Sequence, residues 1–169
     1  MDASSRLDRA TVEEARALLT RCCGAERWVT GMLAQRPFLT DHRLQAIAWE
    51  VWFGLGSDDW LEAFSHHPQI GDRAAIEARF AGTRDLSQQE QAAVGSASEE
   101  VIDALAQGNR AYFERFGFIF IVCATGKSAT EMLALLEARL TNSPEEEIRI
   151  AAGEQAKITA IRLSQLSDA

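Results

Sequence analysis

Cysteine, proline and histidine each occur only three times in this chain of 169 residues. Cys22 and Cys23 are adjacent and Cys123 stands alone, so the chain has no Cys-x-x-Cys pair, and no histidine has metal-ligand spacing. This pattern argues against a disulfide framework and against a structural zinc site, and it is typical of a protein from a reducing compartment. The first residues contain no apolar signal core. We therefore expect a cytoplasmic protein without a bound metal.

Basic residues and long hydrophobic runs are also scarce. Lysine and arginine number 17 against 25 aspartates and glutamates, which gives a formal net charge of −8. Nonspecific nucleic-acid binding needs a basic face to neutralise phosphates, so this class of function is disfavoured, whereas a small anionic ligand needs only one or two cations. The longest apolar run, residues 116–124, is too short to cross a bilayer. We expect neither a nucleic-acid partner nor a membrane partner.

Helix-start signals recur along a chain that is otherwise rich in helix-forming residues. At each of them a serine or threonine that can cap a helix precedes apolar residues at helical spacing. The predicted starts are Thr11, Thr40, Ser57, Ser87, Ser128 and Ser143. A long helix is predicted from about residue 98 to 116, with Gly108-Asn109 as its weak point.

Only residues 117–124 resemble a β-strand, because they are rich in β-branched and aromatic residues. No second strand is predicted that could pair with them. We therefore predict an all-α fold, a single compact helical domain over residues 1–169, with about eight helices and one extended buried segment near 117–124. The Gly126-Lys127-Ser128 triplet that follows is not a phosphate loop, because Ile121 stands where that motif requires glycine. Lys127 is interpreted as a surface residue.

Two adjacent histidines are the first candidates for chemistry. His66 and His67 precede Pro68, and Gly71 follows shortly after. Proline pushes the preceding residue out of helical geometry, so His67 is predicted to lie in an irregular segment and not on a helix face. An imidazole held in this way suits general acid–base chemistry near neutral pH. The alternative is that the histidines only end a helix and begin a loop.

Two charged residues also have a functional and a structural interpretation. Arg162 lies among apolar residues of the last predicted helix, and burying a guanidinium is costly unless an anion pairs with it. It could clamp a substrate carboxylate, or it could pair with a structural carboxylate or extend to water. Glu90 could face a pocket, or it could complete a capping box with Ser87.

Four blocks of the sequence together resemble one family, 2-oxo-4-hydroxy-4-carboxy-5-ureidoimidazoline (OHCU) decarboxylase. The blocks are His67-Pro68-Gln69-Ile70-Gly71, Ser87-Gln88-Gln89-Glu90-Gln91, the run from Tyr112 to Ala124, and Lys157-Ile158-Thr159-Ala160-Ile161-Arg162-Leu163. They occur in the family's order and extend from about residue 60 to the end. Ile119 differs from many relatives, which have proline there, and the Gly-Lys-Ser triplet is similar to the bacterial branch.

The resemblance implies a cofactor-free and metal-free carboxy-lyase that converts OHCU to (S)-allantoin and carbon dioxide in urate degradation. It implies that His67 is the catalytic acid/base, with His66 as a neighbour, that Glu90 holds the ring or ureido groups and helps to set the protonation of His67, and that Arg162 grips the substrate carboxylate. The backbone of residues 120–124 would bind carbonyl or developing oxyanion groups. The implied substrate-binding residues are Pro68, Ser87, Gln88, Gln89, Glu90, Gln91, Phe120, Ile121, Val122, Cys123, Ala124 and Arg162.

The partners implied are the small-molecule ureidoimidazoline substrate and a second copy of the chain, since relatives suggest a homodimer. Two other classes of function stay open at this point. One is a non-catalytic helical binding module in which Arg162 captures a small carboxylate. The other is a different cofactor-free lyase on the same scaffold.

Overall fold

The computed structural model of the protein describes residues 1–68, 74, 76 and 88–168, with the side chains of 88–98 and of 168 outside the description. These ranges contain eight α-helices, a final 3₁₀ helix and no β-strand, so the all-α prediction is confirmed. The helices are α1 (Ala3–Arg9), α2 (Val12–Cys22), α3 (Glu26–Ala34), α4 (Asp41–Phe53), α5 (Ser57–Ser65), α6 (Gln88–Phe116), α7 (Ala129–Arg139) and α8 (Pro144–Ser164), and the 3₁₀ helix is Gln165–Asp168. Within the described ranges, none of them has the length and apolar character of a membrane span.

Capping residues start the helices much as predicted. The Thr11 side chain accepts from the backbone N–H of Glu14 while the Glu14 carboxylate accepts from Thr11, which completes a capping box for α2. The side chains of Thr40 and Ser128 cap α4 and α7 by accepting from the backbone N–H groups of Arg43 and Glu131, without the reciprocal bond. The predicted start at Ser87 lies outside the described residues.

The chain divides into two compact units, and each is described by itself. The first consists of Met1–His67 and Ile148–Ala169. Its core is built around the buried Trp28 and Trp52, both of which find a buried carbonyl for the indole N–H. Trp28 donates to Ala48 over 3.2 Å and Trp52 donates to Ala152 over 2.9 Å. These bonds join α3 to α4 and α4 to the part of α8 that belongs to this unit.

The second unit is Pro68–Glu147, and its described part is dominated by α6 and α7. Gly108 lies in the middle of α6, where an added Cβ would be 2.5 Å from Cδ2 of Leu136. The predicted weak point of the helix is therefore a place where α7 packs closely against it. The helix begins at Gln88, earlier than the predicted start near residue 98, because no proline interrupts the intervening residues and a single glycine costs a helix only about 1 kcal/mol.

The segment after α6 is extended and largely buried, as predicted. Gly117 ends the helix with a φ of 79°, a left-handed conformation that glycine adopts without a steric penalty. Residues 117–124 then belong to neither helix nor strand. The ring of Tyr112 packs against Phe118 and Phe120, with centroids 5.7 and 5.3 Å apart. Aromatic packing therefore holds this segment in place of a β-ladder.

Candidate active site

His67 lies two residues past the end of α5 and directly before Pro68. The helix ends at Ser65, His66 is its C-cap, and the backbone N–H of His67 still donates to Phe64 over 3.2 Å. The prediction of an irregular position just beyond a helix is confirmed. His67 is half-buried, whereas His66 and Pro68 are exposed.

Gly24, in the loop between α2 and α3, lets that loop approach the histidines. A Cβ at this position would lie 2.4 Å from Cγ of His66. That distance is far below any ordinary contact, so a larger residue would displace the imidazole ring of His66.

A chain of polar groups leads from His67 into the interior of the first unit. Nε2 of His67 lies 2.5 Å from Oε1 of Gln155, and Nε2 of Gln155 donates to Oγ1 of Thr159 over 3.0 Å. The Thr159 hydroxyl lies 3.5 Å from the carbonyl oxygen of Cys22. Gln155 and Thr159 are only 1% and 5% exposed, so water has little access to these groups. The imidazole is therefore oriented by the protein interior.

Arg162 is connected to the same carbonyl. Its Nη1 donates to Cys22 O over 3.4 Å, and the side chain is half-buried. Gln155, Thr159 and Arg162 follow one another at spacings of four and three, which places them on one face of α8. Among the described residues no carboxylate pairs with Arg162. The structural alternative of an internal ion pair for this guanidinium therefore finds no support in that part of the chain.

The two adjacent thiols lie beside this network and are unreactive by position. Burial raises the pKa of Cys22 and of Cys23 to about 11, although the positive charge of Arg162 opposes the shift at both. A hydrogen bond between Thr159 and the Cys23 thiol also opposes it. Because the thiolate is the nucleophilic form, neither cysteine is suited to covalent chemistry at neutral pH.

In the second unit, a buried ion pair supports the predicted oxyanion-binding segment. Nε of Arg139 donates to Glu147 over 2.6 Å, and its Nη1 donates to the carbonyl of Ile121 over 2.6 Å. The guanidinium carbon also lies 4.5 Å from the ring centroid of Phe120. Tyr112 donates to the same Glu147 carboxylate, 2.5 Å away. Burial and this hydrogen bond raise the pKa of Tyr112 far above its usual range, so the phenol keeps its proton.

Lys127 also contacts the same segment, a contact that its interpretation as a surface residue did not include. It is half-buried, and its Nζ donates to the carbonyl of Cys123 over 2.7 Å. The physical reason is the turn at residues 125–126, which brings the lysine back along the chain it has just left. Two carbonyls of the segment, those of Ile121 and Cys123, are therefore held by cationic side chains.

The remaining predicted site residues are placed as follows. Within the second unit, Ile121, Val122 and Cys123 are buried and Phe120 and Ala124 are half-buried. Gln88, Gln89, Glu90 and Gln91 lie in the first turns of α6, and their side chains are outside the description, as is the whole of Ser87. In the first unit, His67 and Arg162 are brought into one network.

Sequence reasoning missed Gln155, Thr159 and the carbonyl of Cys22. One signal was present, since Gln155 and Thr159 occupy the helix face that also carries Arg162 and is otherwise surrounded by apolar residues. Polar groups in such a position need internal partners. The partner carbonyl, 137 residues away from Thr159, left no local signal.

Comparison with known proteins gives consistent results. The OHCU decarboxylase family model matches residues 8–164. The uric acid degradation bifunctional protein TTL of Arabidopsis thaliana is 41% identical over 148 residues. The match covers 86% of this chain and 45% of that protein, so the chain spans less than half the length of this relative. The 2-oxo-4-hydroxy-4-carboxy-5-ureidoimidazoline decarboxylase of Amia calva is 33% identical over 133 residues, or 78% of this chain and 74% of that one.

A solved structure is similar over nearly the whole length. It is a crystal structure of OHCU decarboxylase in the presence of (S)-allantoin, with 34% sequence identity and a TM-score of 0.70, and the match covers 93% of this chain and 98% of that one. The family model alone accounts for most of the sequence. The chain therefore belongs to the OHCU decarboxylase family.

Proposed function

We propose that this protein catalyses the decarboxylation of OHCU to (S)-allantoin and carbon dioxide, a step of urate degradation, without a cofactor. It is a carboxy-lyase. The observation that carries the proposal is that one hydrogen-bond network of the first unit contains both a half-buried imidazole and a guanidinium that has no carboxylate partner among the described residues. An acid/base and an anion-binding cation on one network are what a substrate carrying a carboxylate requires.

His67 acts as the acid/base. Loss of carbon dioxide next to a carbonyl leaves negative charge that the ring carbonyl can delocalise, and one face of the carbon then takes up a proton. An imidazole can hold and deliver that proton near neutral pH. Its position against a buried amide fixes the direction from which the proton arrives, and this directed delivery produces one enantiomer.

Arg162 binds the carboxylate that is lost. A guanidinium presents five N–H donors in a planar fork, which matches the two oxygens of a carboxylate. One of these donors binds the Cys22 carbonyl and so holds the guanidinium in place. The remaining N–H donors of the fork are then the ones that bind the substrate carboxylate. Half-burial strengthens such a contact relative to one in open water.

The other site roles rest on the family resemblance and stay predictions. Glu90 holds the ring or ureido groups and helps to set the protonation of His67. Further contributions to substrate binding come from Pro68, Ser87 and the glutamines 88, 89 and 91. Backbone groups of residues 120–124 stabilise the developing oxyanion.

We also propose that residues 1–169 act as one domain in the cytoplasm, and that the chain is a homodimer. Light scattering that gives twice the 18.6 kDa chain mass supports the dimer, and a monomer mass contradicts it.

The test is to generate the unstable substrate in situ from urate and to follow both its decay and the chirality of the product. We expect fast decay to (S)-allantoin. His67→Asn should fold normally and lose about 10²–10⁴-fold in turnover, the usual contribution of a positioned acid/base. His66→Asn is the matched control, with the same substitution one residue away on an exposed ring, and it should stay active. A slow decay to racemic allantoin with the unmodified protein would indicate a binding module.

A further inference from the structure

We propose that Gln155 is a positioning residue that holds the proton of neutral His67 on Nε2, so that Nδ1 is the nitrogen that exchanges a proton with the substrate. The assignment of Nδ1 to catalysis rests on the proposed function. The tautomer itself can be measured in the protein without substrate. The two statements can therefore be tested separately.

The first step of the argument is the satisfaction of a buried amide. Gln155 is 1% exposed, so its oxygen and its NH₂ group must find partners inside the protein. The structure provides one on each side, Nε2 of His67 at 2.5 Å and Oγ1 of Thr159 at 3.0 Å. The buried amide therefore has a hydrogen-bond partner for its oxygen and for its NH₂ group.

The second step is the direction of these bonds, which the far end of the network determines. The single hydrogen of the Thr159 hydroxyl is directed away from Gln155, because its other neighbours are the carbonyl oxygen of Cys22, which can only accept, and the sulfur of Cys23. The lone pair of the Thr159 oxygen then accepts from the NH₂ group of Gln155. This leaves the amide oxygen, which can only accept, facing His67. Nε2 of His67 must therefore be the donor.

The third step concerns the other ring nitrogen. A neutral imidazole has one N–H and one lone pair. With the hydrogen on Nε2, the lone pair lies on Nδ1, and proton uptake and release take place there. Cys22 is also the anchor of Arg162, so the same carbonyl oxygen orients the imidazole tautomer and positions the guanidinium.

The experiment is ¹⁵N NMR of the histidine rings in the full-length, ligand-free protein, at a pH where the rings are neutral. Long-range ¹H–¹⁵N correlations distinguish a protonated from an unprotonated ring nitrogen, and the signals missing from His67→Asn assign His67. We expect protonated Nε2 and unprotonated Nδ1. This measurement needs no variant of the network, and a proton on Nδ1 overturns the proposal.

Variants of the network then test the role of the amide. Gln155→Leu should reduce the tautomer preference of His67 toward that of the exposed His66. It should also lower kcat about tenfold with little change in KM, which corresponds to the loss of one hydrogen bond whose free-energy contribution is near the top of the usual range. Gln45→Leu is the matched control, because Gln45 donates to the backbone of α8 at Ala160 without touching His67. It should change neither readout.

The hydroxyl of Thr159 distinguishes positioning from simple packing. Thr159→Val keeps the shape but removes the acceptor that orients Gln155, so it should reproduce part of both effects, while Thr159→Ser should restore them. Equal behaviour of the two variants overturns the proposal. If the tautomer is the expected one but the unmodified protein does not decarboxylate the substrate, the proposed function and the catalytic role of Nδ1 both fail, and the tautomer assignment stands.

Discussion

Removing the charge of Glu147 should destabilise the protein more than any other single change to a carboxylate in α8. The side chain is fully buried and accepts from Arg139, Tyr112 and Asn142. Glu147→Gln keeps the size of the group but leaves the guanidinium of Arg139, with a side chain only 8% exposed, without a counter-charge. Breaking a buried pair on one side costs about 3–5 kcal/mol, a large share of the roughly 5–15 kcal/mol by which folded proteins are stable.

Two further variants give the expected order of effects. Tyr112→Phe removes one hydrogen bond to a charged group and should cost about 1.5–3 kcal/mol. Glu145→Gln is the matched control, since it removes an exposed carboxylate from the same first turn of α8 and should cost no more than about 1 kcal/mol through the helix dipole. Glu147→Gln should therefore be the most damaging and Glu145→Gln the least.

The measurement is urea unfolding followed by two probes. All four tryptophans belong to the first unit and Glu147 to the second, so tryptophan fluorescence reports on the first unit, whereas far-UV circular dichroism reports on the helices of both. If the two probes show coincident transitions, a single free energy of unfolding describes each variant. If the slope of this free energy against urea concentration is the same in all variants, a shift of the midpoint reflects a change in stability. The reasoning is refuted if Glu147→Gln and Glu145→Gln lose the same free energy.

Three other predictions concern the clamp, the helix packing and the thiols. Arg162→Ala should raise KM about 10–100-fold with a smaller effect on kcat. Arg162→Lys should restore only part of the substrate affinity, because lysine lacks the planar fork of donors. An unchanged KM in Arg162→Ala would contradict the proposal that Arg162 binds the substrate carboxylate. Gly108→Ala should lower the free energy of unfolding by about 1 kcal/mol or more, because the added methyl group collides with Leu136 and this outweighs alanine's better helix propensity. Gly153→Ala has open space around its Cβ and should raise the free energy of unfolding by up to about 1 kcal/mol. A change of the same sign in both variants would contradict the packing account. Because burial raises the pKa of Cys22 and Cys23 from 9.0 to about 11, the unfolded thiols ionise first, and the free energy of unfolding should fall between pH 9 and 11 by about 1.4 kcal/mol per pH unit for each thiol. Urea unfolding at pH 8 and pH 10 measures this, and replacing both cysteines by alanine should flatten the slope; an equal slope in that variant would refute it.

Local chemistry made much of the fold predictable. The caps at Thr11 and Ser128 work within three residues of the chain, so the sequence itself contains both donor and acceptor. The extended segment was recognisable for the same reason, because its aromatic and β-branched content and the glycine at its start are local features. The start of α6 was placed too late because the capping signal at Ser87 was not connected to the helix that follows it.

The support around the candidate site could not be predicted in the same way. The position of His67 followed from Pro68 beside it, but the amide that orients its ring is 88 residues away. The contact of Lys127 with the carbonyl of Cys123 was not predicted, because a turn that returns a side chain to its own backbone has no periodic pattern. Contacts of this kind depend on packing between distant elements, and a single sequence contains no direct record of them.

The carbonyl of Cys22 is more than an acceptor for two side chains, because Cys22 is the last residue of α2. The final carbonyls of a helix lack intrahelical partners and carry about half a unit of negative charge from the aligned peptide dipoles. Arg162 is therefore anchored by a helix end where another protein would use a carboxylate. A carboxylate would cancel the full charge of the guanidinium, whereas the helix end offsets roughly half of it. The arginine is thus fixed in place and still strongly electropositive, which is the condition under which a cation can hold an anion that comes and goes.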